Sequence, residues 1–454
     1  MTMLTAVSVA DRLSQLQSSG VDTLVIGAAD VNGLFRAKRF SLDLFSRENV
    51  EIAFSDYVFA ADLQDAMMSP RPGYRGYFPT ESLGLPDVYV RPDWDLLRVL
   101  PWDPRTALVL GDFYHRDGDE VAISPRGVLK RVIRRLEEMG LQAVAGCEYE
   151  FFIFRGNPEE VRAHPSELAP LSVGPSYSYG RGAEDEALLG IVRRMMEQAG
   201  IPVETAHPEA APGQSEITIR YADALAAADH AFLYKQFVSE LLAREGMTAS
   251  FIAKLSRSGF GSSGHIHISL RDEAGEPMMV DSDGEFSETT FHAIAGFLST
   301  LPEFTAFYAP TVNSYRRYQT PYGLAGDTVA WGIENRTCAV RLIQAGRSGS
   351  RFETRTPGAD INPYIALAAA LAGVGHGIEC NASPPPETVG DAYQDPVVGR
   401  VPNDLQTSTM LLSNSAIARD WLGDEFVDYY AETRFWESEQ HRLAVTDWEL
   451  RRYL

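Results

Sequence analysis

A run of aromatic and branched residues carries two acids in its middle: Gly146-Cys147-Glu148-Tyr149-Glu150-Phe151-Phe152-Ile153-Phe154. This composition predicts a buried β-strand. Alternation along a strand puts Glu148 and Glu150 on one face and Tyr149 on the other. Because two carboxylates are costly to bury without a cation, the pair predicts a positively charged partner at this strand.

The composition limits the class of protein before any motif is considered. The chain has 454 residues and a formal net charge of −22. Its length predicts two domains, or one large catalytic domain with an appendage. The excess of acidic residues argues against an extended surface that binds nucleic acid or an anionic membrane.

Three widely spaced cysteines, Cys147, Cys338 and Cys380, predict a cytoplasmic protein without a disulfide framework. The longest apolar helix, at residues 364–374, is too short for a membrane span and is expected to be buried.

Hydrophobic periodicity predicts a small β-rich N-terminal unit before a larger α+β domain. Strands are expected at residues 23–26 and 34–40, around the turn Asp30-Val31-Asn32-Gly33, and at residues 107–110, where Gly111 ends the strand. A helix is expected to start at Ser124-Pro125. We therefore predict domains at residues 1–112 and 113–454. Further helices are expected at residues 184–198, 222–244, 288–308 and 363–378.

Three further segments place polar residues on one face of an expected strand. They are Glu216, Thr218 and Arg220, then His265, His267 and Ser269, then Arg351, Glu353 and Arg355. Any one pattern is explained as readily by a solvated or hydrogen-bonded side chain as by metal ligation. Together with the first acid pair, they favour a site of carboxylates and imidazole without thiolate, which suits Mg²⁺ or Mn²⁺. The arginines beside the acids supply the positive charge and the hydrogen-bond donors that stabilise a phosphoryl group during its transfer.

The segment Gly259-Phe260-Gly261-Ser262-Ser263-Gly264 has the G-x-G-x-x-G spacing of a dinucleotide-binding loop. That motif requires a helix immediately afterwards. The alternating residues 265–270 predict a strand instead, so we reject a dinucleotide site here.

The ordered motifs resemble those of the glutamine synthetase family over nearly the whole chain. The motifs are Glu148-x-Glu150, Glu209 with Pro212-Gly213-Gln214-x-Glu216, His265-x-x-x-Ser269, Pro310-Thr311-Val312-Asn313-Ser314-Tyr315-Arg316-Arg317, Asn335-Arg336-Thr337 and Arg351-x-Glu353-x-Arg355. The resemblance implies an α+β fold, with a small β-grasp-like N-terminal domain and a large catalytic domain built on a curved antiparallel sheet with surrounding helices. It also implies a homododecamer of two hexameric rings with active sites at subunit interfaces.

The resemblance implies a role for each matched residue. One divalent ion would be bound by Glu150, Glu209 and Glu216, and a second, nucleotide-bridging ion by Glu148, His265 and Glu353. Glutamate would contact Glu150, Gly261, His265, Arg317 and Arg355. ATP would contact His267, Ser269, Arg336, Arg341 and Arg351. Catalysis would involve Arg317, Arg336 and Arg355.

The cofactors implied are ATP and at least two Mg²⁺ or Mn²⁺ ions per site. The γ-carboxylate of L-glutamate would attack the γ-phosphate of ATP, and an amine would displace the resulting acyl phosphate.

Two departures from the family pattern bear on the amine. Ammonia-using members carry a flap glutamate where this chain has Gly323, after Tyr322. They also carry an acid in a Phe-Asp-Gly-Ser-Ser motif, where this chain reads Phe54-Ser55-Asp56-Tyr57. Losing the flap carboxylate removes an ammonium site and leaves room for an alkyl or aryl group. We therefore expect a small organic amine, with specificity set by Ser55, Asp56, Tyr322 and Gly323, as in the γ-glutamylamide synthetase branch.

Some alternatives stay open at this point. A monoamine is favoured over a polyamine, although Asp62 and Asp65 could receive a second ammonium group. Asp56 is a candidate base for the amine, but a surface aspartate is a poor base near neutral pH. The chain could instead be an ammonia-using glutamine synthetase, a catalytically silent binding or regulatory relative, or a guanidino kinase-like phosphotransferase.

Overall fold

The computed structural model describes residues 8–46, 50–319 and 324–454. The strands are β1 Thr23–Ala29, β2 Phe35–Ser41, β3 Ala53–Ser55, β4 Asp87–Pro92, β5 Arg98–Leu100, β6 Asp103–Tyr114, β7 Leu141–Arg155, β8 Val203–Pro208, β9 Gln214–Ile219, β10 Ala222–Asp223, β11 Met247–Ser250, β12 Gly264–Asp272, β13 Thr328–Val329, β14 Trp331–Ile333, β15 Val340–Ile343, β16 Arg351–Thr354 and β17 Gly399–Arg400. The helices are α1 Val9–Ser18, α2 Pro125–Glu138, α3 Pro158–Ala163, α4 Tyr179–Gln198, α5 Ala224–Arg244, α6 Glu288–Tyr308, α7 Gly346–Gly349, α8 Pro363–Glu379, α9 Leu405–Ser413, α10 Ala416–Leu422, α11 Asp424–Leu443 and α12 Asp447–Tyr453.

The N-terminal part of the described chain forms a six-stranded sheet in the order β2-β1-β6-β4-β3, with β5 beside β6. Strands β1 and β6 are parallel, and the other pairs are antiparallel. The turn between β1 and β2 is held by the Asp30 carboxylate, which accepts the N–H groups of Asn32 and Leu34, both at 2.9 Å. The expected β-rich N-terminal unit is therefore present.

Strand β6 does not end at Gly111, as the sequence predicted, but continues to Tyr114. A Cβ atom at Gly111 would lie 2.5 Å from the carbonyl oxygen of Arg91 on β4. The glycine thus allows close approach of the neighbouring strand and does not mark a strand end. The domain boundary near residue 112 falls inside this strand and stays a prediction.

A second sheet carries the acid pair. Within the described residues it has nine strands, in the order β14-β15-β16-β12-β7-β9-β8, with β10 and β11 also on β7. The pairing is antiparallel except between β14 and β15. Tyr149 is fully buried, and its ring stacks on Tyr234 of α5 with centroids 5.6 Å apart. The predicted alternation along β7 is confirmed, because Glu148 and Glu150 share the opposite, less buried face.

The long helices cover the apolar side of this sheet. Helices α2 and α5 pack on β7, and α8 packs on α2, α5 and α6. Helix α8 is buried along nearly its whole length, as predicted from its apolar sequence. Helix α5 starts at Ala224 and not at residue 222, because residues 222–223 pair with β7. No helix of the described residues is long and apolar enough to cross a membrane.

Candidate active site

The strand register gathers the polar faces that the sequence predicted. Glu148 on β7 lies opposite His265 of β12 and Thr218 of β9. One alternation further along β7, Glu150 lies opposite Glu216 of β9. On the other side of β12, Glu353 of β16 lies opposite both His267 and Arg341. Neighbouring strands therefore present acids, imidazoles and an arginine on one surface.

These side chains line a cavity of about 470 Å³. The predicted site residues that line it are Glu148, Glu150, Glu209, Glu216, Gly261, His265, His267, Arg317, Arg336, Arg341, Arg351, Glu353 and Arg355. A second cavity of about 330 Å³ is lined by Ser269 and shares Glu148, His267 and Arg351 with the first. The structure thus brings together all predicted metal, glutamate and ATP residues in two connected cavities.

The first acid cluster consists of Glu148, His265 and Glu353. His265 Nδ1 lies 3.0 Å from Glu148 Oε1 and 3.4 Å from Glu353 Oε1. His265 Nε2 is buried without a hydrogen-bond partner among the described residues. His267 Nε2 lies 3.3 Å from Glu148 Oε1, so His267, predicted for ATP, also stands beside this cluster. Ligand atoms of Glu148, Glu216 and His265 lie within 4.8 Å of one another, as do those of Glu148, His267 and Glu353, and such converging oxygen and nitrogen donors fit a divalent cation.

The acids predicted for the other ion are Glu150, Glu209 and Glu216, here called the second acid cluster, in which Glu150 lies opposite Glu216 on the neighbouring strand. The sequence reasoning gave no role to His207, yet its Nε2 lies 3.0 Å from Glu209 Oε1 and 3.6 Å from Glu216 Oε1. Ligand atoms of His207, Glu209 and Glu216 all lie within 4.8 Å of one another. The feature that could have pointed to His207 is the β8–β9 hairpin, because His207 pairs directly with Glu216 in it.

Glu150 is held by neutral donors. Its Oε2 accepts the backbone N–H of Ser263 at 2.9 Å and the side-chain amide of Gln214 at 3.0 Å. Gln214 is buried and also donates to the carbonyl oxygen of Gly261 at 2.9 Å. Gln214 belongs to a motif of the sequence, but this role could not be predicted, because the contact depends on where the loop at residues 261–263 folds.

Burial and mutual repulsion set the charge of the acids. Burial, and then the charge of Glu209, raises the pKa of Glu150 to about 8. Burial, and then the charge of Glu148, raises the pKa of Glu216 to about 9. Although burial opposes ionisation of Glu353, the nearby His265 and Arg355 lower its pKa to about 2. A cation bound between these acids would relieve the repulsion, so the residues fit a divalent metal centre.

Two buried arginines, Arg317 and Arg355, line the larger cavity. Arg317 donates from Nη1 to the carbonyl oxygen of Thr356 at 3.0 Å and from Nη2 to Ser263 Oγ at 2.9 Å. A Cβ atom at Gly261 would lie 2.6 Å from Arg317 Cγ, so only glycine fits there. Arg355 donates from Nη1 to Glu353, while its buried Nε has no acceptor among the described residues.

The other arginines lie towards the second cavity or at the rim. Arg341 donates from Nε to Glu334 at 2.9 Å and from Nη1 to Glu353 at 3.1 Å. Arg351 donates from Nε to His267 Nδ1 at 3.1 Å and lines both cavities. Arg336 is exposed at the edge of the larger cavity. These cations therefore line the same cavity as the acid clusters, where forked donors can bind phosphate oxygens.

The predicted amine-specificity residues are not brought to these cavities within one chain. Neither Ser55 nor Asp56 lines them, and Tyr322 and Gly323 lie outside the described residues. The expectation that Asp56 is a surface residue was wrong, because it is fully buried and accepts the hydroxyl of Tyr77 at 2.8 Å. Burial raises the pKa of Asp56, which makes it a stronger base than an exposed aspartate.

A sheet face that combines acids, imidazoles and arginines is typical of enzymes that transfer a phosphoryl group. The chain belongs to the glutamine synthetase family, since residues 122–453 match the model of the glutamine synthetase catalytic domain.

Relatives place the chain near the γ-glutamylamide branch of that family. The chain is 38% identical over 447 residues to the γ-glutamylethanolamide synthetase of Streptomyces coelicolor, covering 97% of this chain and 95% of the relative. It is 35% identical over 447 residues to the glutamate–isopropylamine ligase of a Pseudomonas species, covering 97% and 96%. Its structure resembles that of apo GmaS with a TM-score of 0.84 and 25% sequence identity, over 98% and 99% of the two chains.

Proposed function

We propose that this chain is an ATP-dependent ligase that joins the γ-carboxylate of L-glutamate to a small organic amine, forming a γ-glutamylamide, ADP and phosphate. The observation that carries the proposal is the cavity in which two acid clusters face buried and rim arginines. Family membership supports the reaction class. Similarity to enzymes named for isopropylamine and γ-glutamylethanolamide supports an organic amine over ammonia.

The two acid clusters would hold the metal ions. The first cluster, Glu148, His265 and Glu353, would bind the ion nearest the nucleotide, and Glu150, Glu209 and Glu216 the other. Mg²⁺ or Mn²⁺ would supply positive charge that offsets the phosphoryl oxygens. The raised pKa values of Glu150 and Glu216 and the convergence of ligand atoms of Glu148, Glu216 and His265 support this fit.

Different arginines would orient the two substrates, glutamate and ATP. Arg317 and Arg355 would hold glutamate and its activated γ-group, with Gly261 giving the substrate access to the backbone. Arg336, Arg341 and Arg351 would face the ATP phosphates, while His267 and Ser269 lie towards the nucleotide. Forked, permanently charged donors bind phosphoryl oxygens without needing a proton transfer.

The amine side of the site would be completed by Tyr322 and Gly323 and by a neighbouring subunit. Ser55 and Asp56 do not line the cavity of their own chain, which agrees with a role in a neighbour's site. Asp56 remains the proposed base for the amine. Its fully buried carboxylate would have to leave Tyr77 to reach the substrate.

We also propose a cytoplasmic homododecamer with shared sites. The C-terminal segment exposes a set of large apolar side chains, namely Leu443, Val445, Trp448, Leu450, Tyr453 and Leu454. Exposed apolar clusters mark interaction surfaces in soluble proteins. Native mass spectrometry should therefore find twelve copies of the chain, and a stable monomer with full activity would contradict the shared site.

A coupled phosphate-release assay with ATP, glutamate and a panel of amines tests the proposed reaction. We expect an organic amine to give the highest turnover. Faster turnover with ammonium than with every organic amine would support the glutamine synthetase alternative. Failure to bind Mg-ATP by calorimetry would support a silent relative, and a stable phosphoguanidine product would support a guanidino kinase-like transferase.

A further inference from the structure

The loop between β11 and β12 contains a buried cation that has no part in the proposed reaction so far. Lys254 is 5% exposed, and its Nζ donates to the carbonyl oxygen of Gly259 in the same loop. Among the described residues, Lys254 forms no ion pair with a carboxylate, although buried lysines are normally paired. A buried ammonium group with only a neutral acceptor is costly, so its position calls for a physical explanation.

Lys254 helps to fold this loop back on itself. It forms an antiparallel bridge with Gly261, and the N–H of Ser262 donates to the carbonyl oxygen of Ala253 at 2.9 Å. The bond from Lys254 Nζ to Gly259 closes the loop from the other side. Lys254 therefore fixes the place of Gly261, which lines the larger cavity.

The backbone of Lys254 is also tied to the segment that carries Arg317. Its N–H donates to Asn313 Oδ1 at 2.8 Å, and its carbonyl oxygen accepts the Asn313 amide at 2.9 Å. Asn313 precedes Arg317 in this segment, and the Arg317 side chain lies directly against Gly261. Lys254 thus joins the two segments that meet at the proposed glutamate site.

Lys254 and Arg317 give this side of the cavity two neighbouring positive charges. Burial, and then the charge of Arg317, lowers the pKa of Lys254. The hydrogen bonds of Arg317 go to neutral oxygens, including those of Thr356 and Ser263. In the part of the chain that the structure describes, neither cation forms an ion pair with a carboxylate, so an anionic substrate can supply the missing negative charge.

We infer that Lys254 is a positioning residue for the glutamate substrate: it holds the loop of Gly261 against Arg317 and adds positive charge that favours a carboxylate there. The inference rests on the proposed ligation. Lys254 does not line either active-site cavity, so it acts through the loop and through its charge and not by touching glutamate. None of the predicted ATP residues lies in this loop or in the segment of Arg317, so the binding of Mg-ATP should not depend on it.

The first test measures the KM for glutamate and the KM for ATP in the original chain, Lys254→Met, Lys254→Gln and Lys254→Arg, with the amine that gives the original chain its highest turnover. Met removes both the donor and the charge, Gln keeps a donor without the charge, and Arg keeps both. We expect the KM for glutamate to rise about tenfold or more in Lys254→Met, and less in the other two variants. The KM for ATP and kcat should each change by less than about twofold.

The outcomes separate the inference from a merely structural role. A KM for glutamate that stays within about twofold of the original in Lys254→Met overturns the inference. A fall in kcat without a change in KM, or an equal rise in both KM values, indicates a structural role and also overturns it. So does a loss that neither Gln nor Arg recovers in part. If the original chain shows no glutamate-dependent release of phosphate with any amine, the proposed function itself fails.

Arg257→Met is the matched control, because Arg257 is an exposed cation of the same loop. We expect this variant to leave the KM for glutamate unchanged. A rise equal to that of Lys254→Met would show that any charge lost from the loop has the same effect, and would overturn the role of the buried lysine. Thermal melting checks the fold of each variant. If Lys254→Met does not fold, Lys254→Gln is compared with the control instead.

Discussion

At the scale of single residues, Glu353 is the acid with the most charged partners in the candidate site. It is almost fully buried and contacts Arg355, Arg341 at 3.1 Å and His265 at 3.4 Å. We predict that Glu353→Gln, which preserves the shape of the side chain, lowers kcat at least about 100-fold, because the charge on the proposed nucleotide-bridging ion would no longer be balanced. ADP release measures the loss, and thermal melting checks that the fold is intact.

Glu245→Gln is the matched control, because Glu245 is exposed at the end of α5. The control should turn over at the original rate. Unchanged turnover of Glu353→Gln at saturating Mg²⁺ would remove Glu353 from the proposed ligand set.

Metal binding is predicted to release protons. In the metal-free protein, burial and mutual repulsion raise the pKa values of Glu150 and Glu216 to about 8 and about 9, so this group of acids binds protons more tightly than free carboxylates do. A cation competes with those protons, so Mn²⁺ affinity should rise as the pH increases from 7 to 9. Calorimetry at pH 7.5 in two buffers of different ionisation enthalpy should give different binding heats. Equal heats, together with an affinity independent of pH, would contradict the assignment.

At the scale of elements, Lys235 ties α5 to the segment before α8. Its Nζ donates to the carbonyl oxygens of Ala359 at 2.7 Å and Ile361 at 2.9 Å, and burial lowers its pKa to about 8. Between pH 8 and about 10.4, the usual pKa of lysine, the unfolded chain binds more protons than the folded one. The contribution of Lys235 to the free energy of unfolding therefore rises with pH in that window.

The corresponding experiment compares the original chain with Lys235→Met by denaturant unfolding at several pH values. We predict that the stability difference shifts in favour of the original chain as the pH rises from 8 to 10. A difference that stays constant over this range would contradict a lowered pKa.

The strand faces could be predicted from the sequence, whereas strand ends and cross-strand partners could not. Alternation along β7 and β12 correctly placed Glu148, Glu150 and His265 on one surface, because the period of a strand is a local property. The extension of β6 past Gly111 depends on the approach of β4. The contact of His207 with Glu216 depends on the register of a hairpin, which a single segment does not specify.

At the scale of the whole molecule, a buried ion network joins the N-terminal part of the chain to helices α2 and α5. Arg126 of α2 pairs with Asp93 at 2.9 Å, Asp112 at 2.8 Å and Asp229 at 2.9 Å. Asp93 and Asp112 belong to the N-terminal part of the chain, while Asp229 lies on α5. This network could not be predicted from the sequence, since its members are far apart in the chain and follow no periodic pattern.

Arg126→Met is predicted to destabilise the protein by about 3–5 kcal/mol, because it leaves Asp229 buried without its cation, while Asp112 keeps only Lys130 at 3.0 Å. Denaturant unfolding measures the loss. Arg162→Met, at an exposed position of α3, is the control and should change stability by less than about 0.5 kcal/mol. If Arg126→Met lowers the free energy of unfolding by less than about 1 kcal/mol, the ion network contributes little to the stability of the fold.

The most direct test of the central claim is one reaction containing Mg-ATP, L-glutamate labelled with ¹⁸O in its γ-carboxylate, and equal concentrations of ammonium and n-butylamine. Mass spectrometry identifies both the amide product and the label in the phosphate. We predict γ-glutamylbutylamide as the main product, with an ¹⁸O atom in each phosphate released, because the γ-carboxylate oxygen leaves with the phosphoryl group. Glutamine as the main product, or phosphate without label, would contradict the proposed ligation.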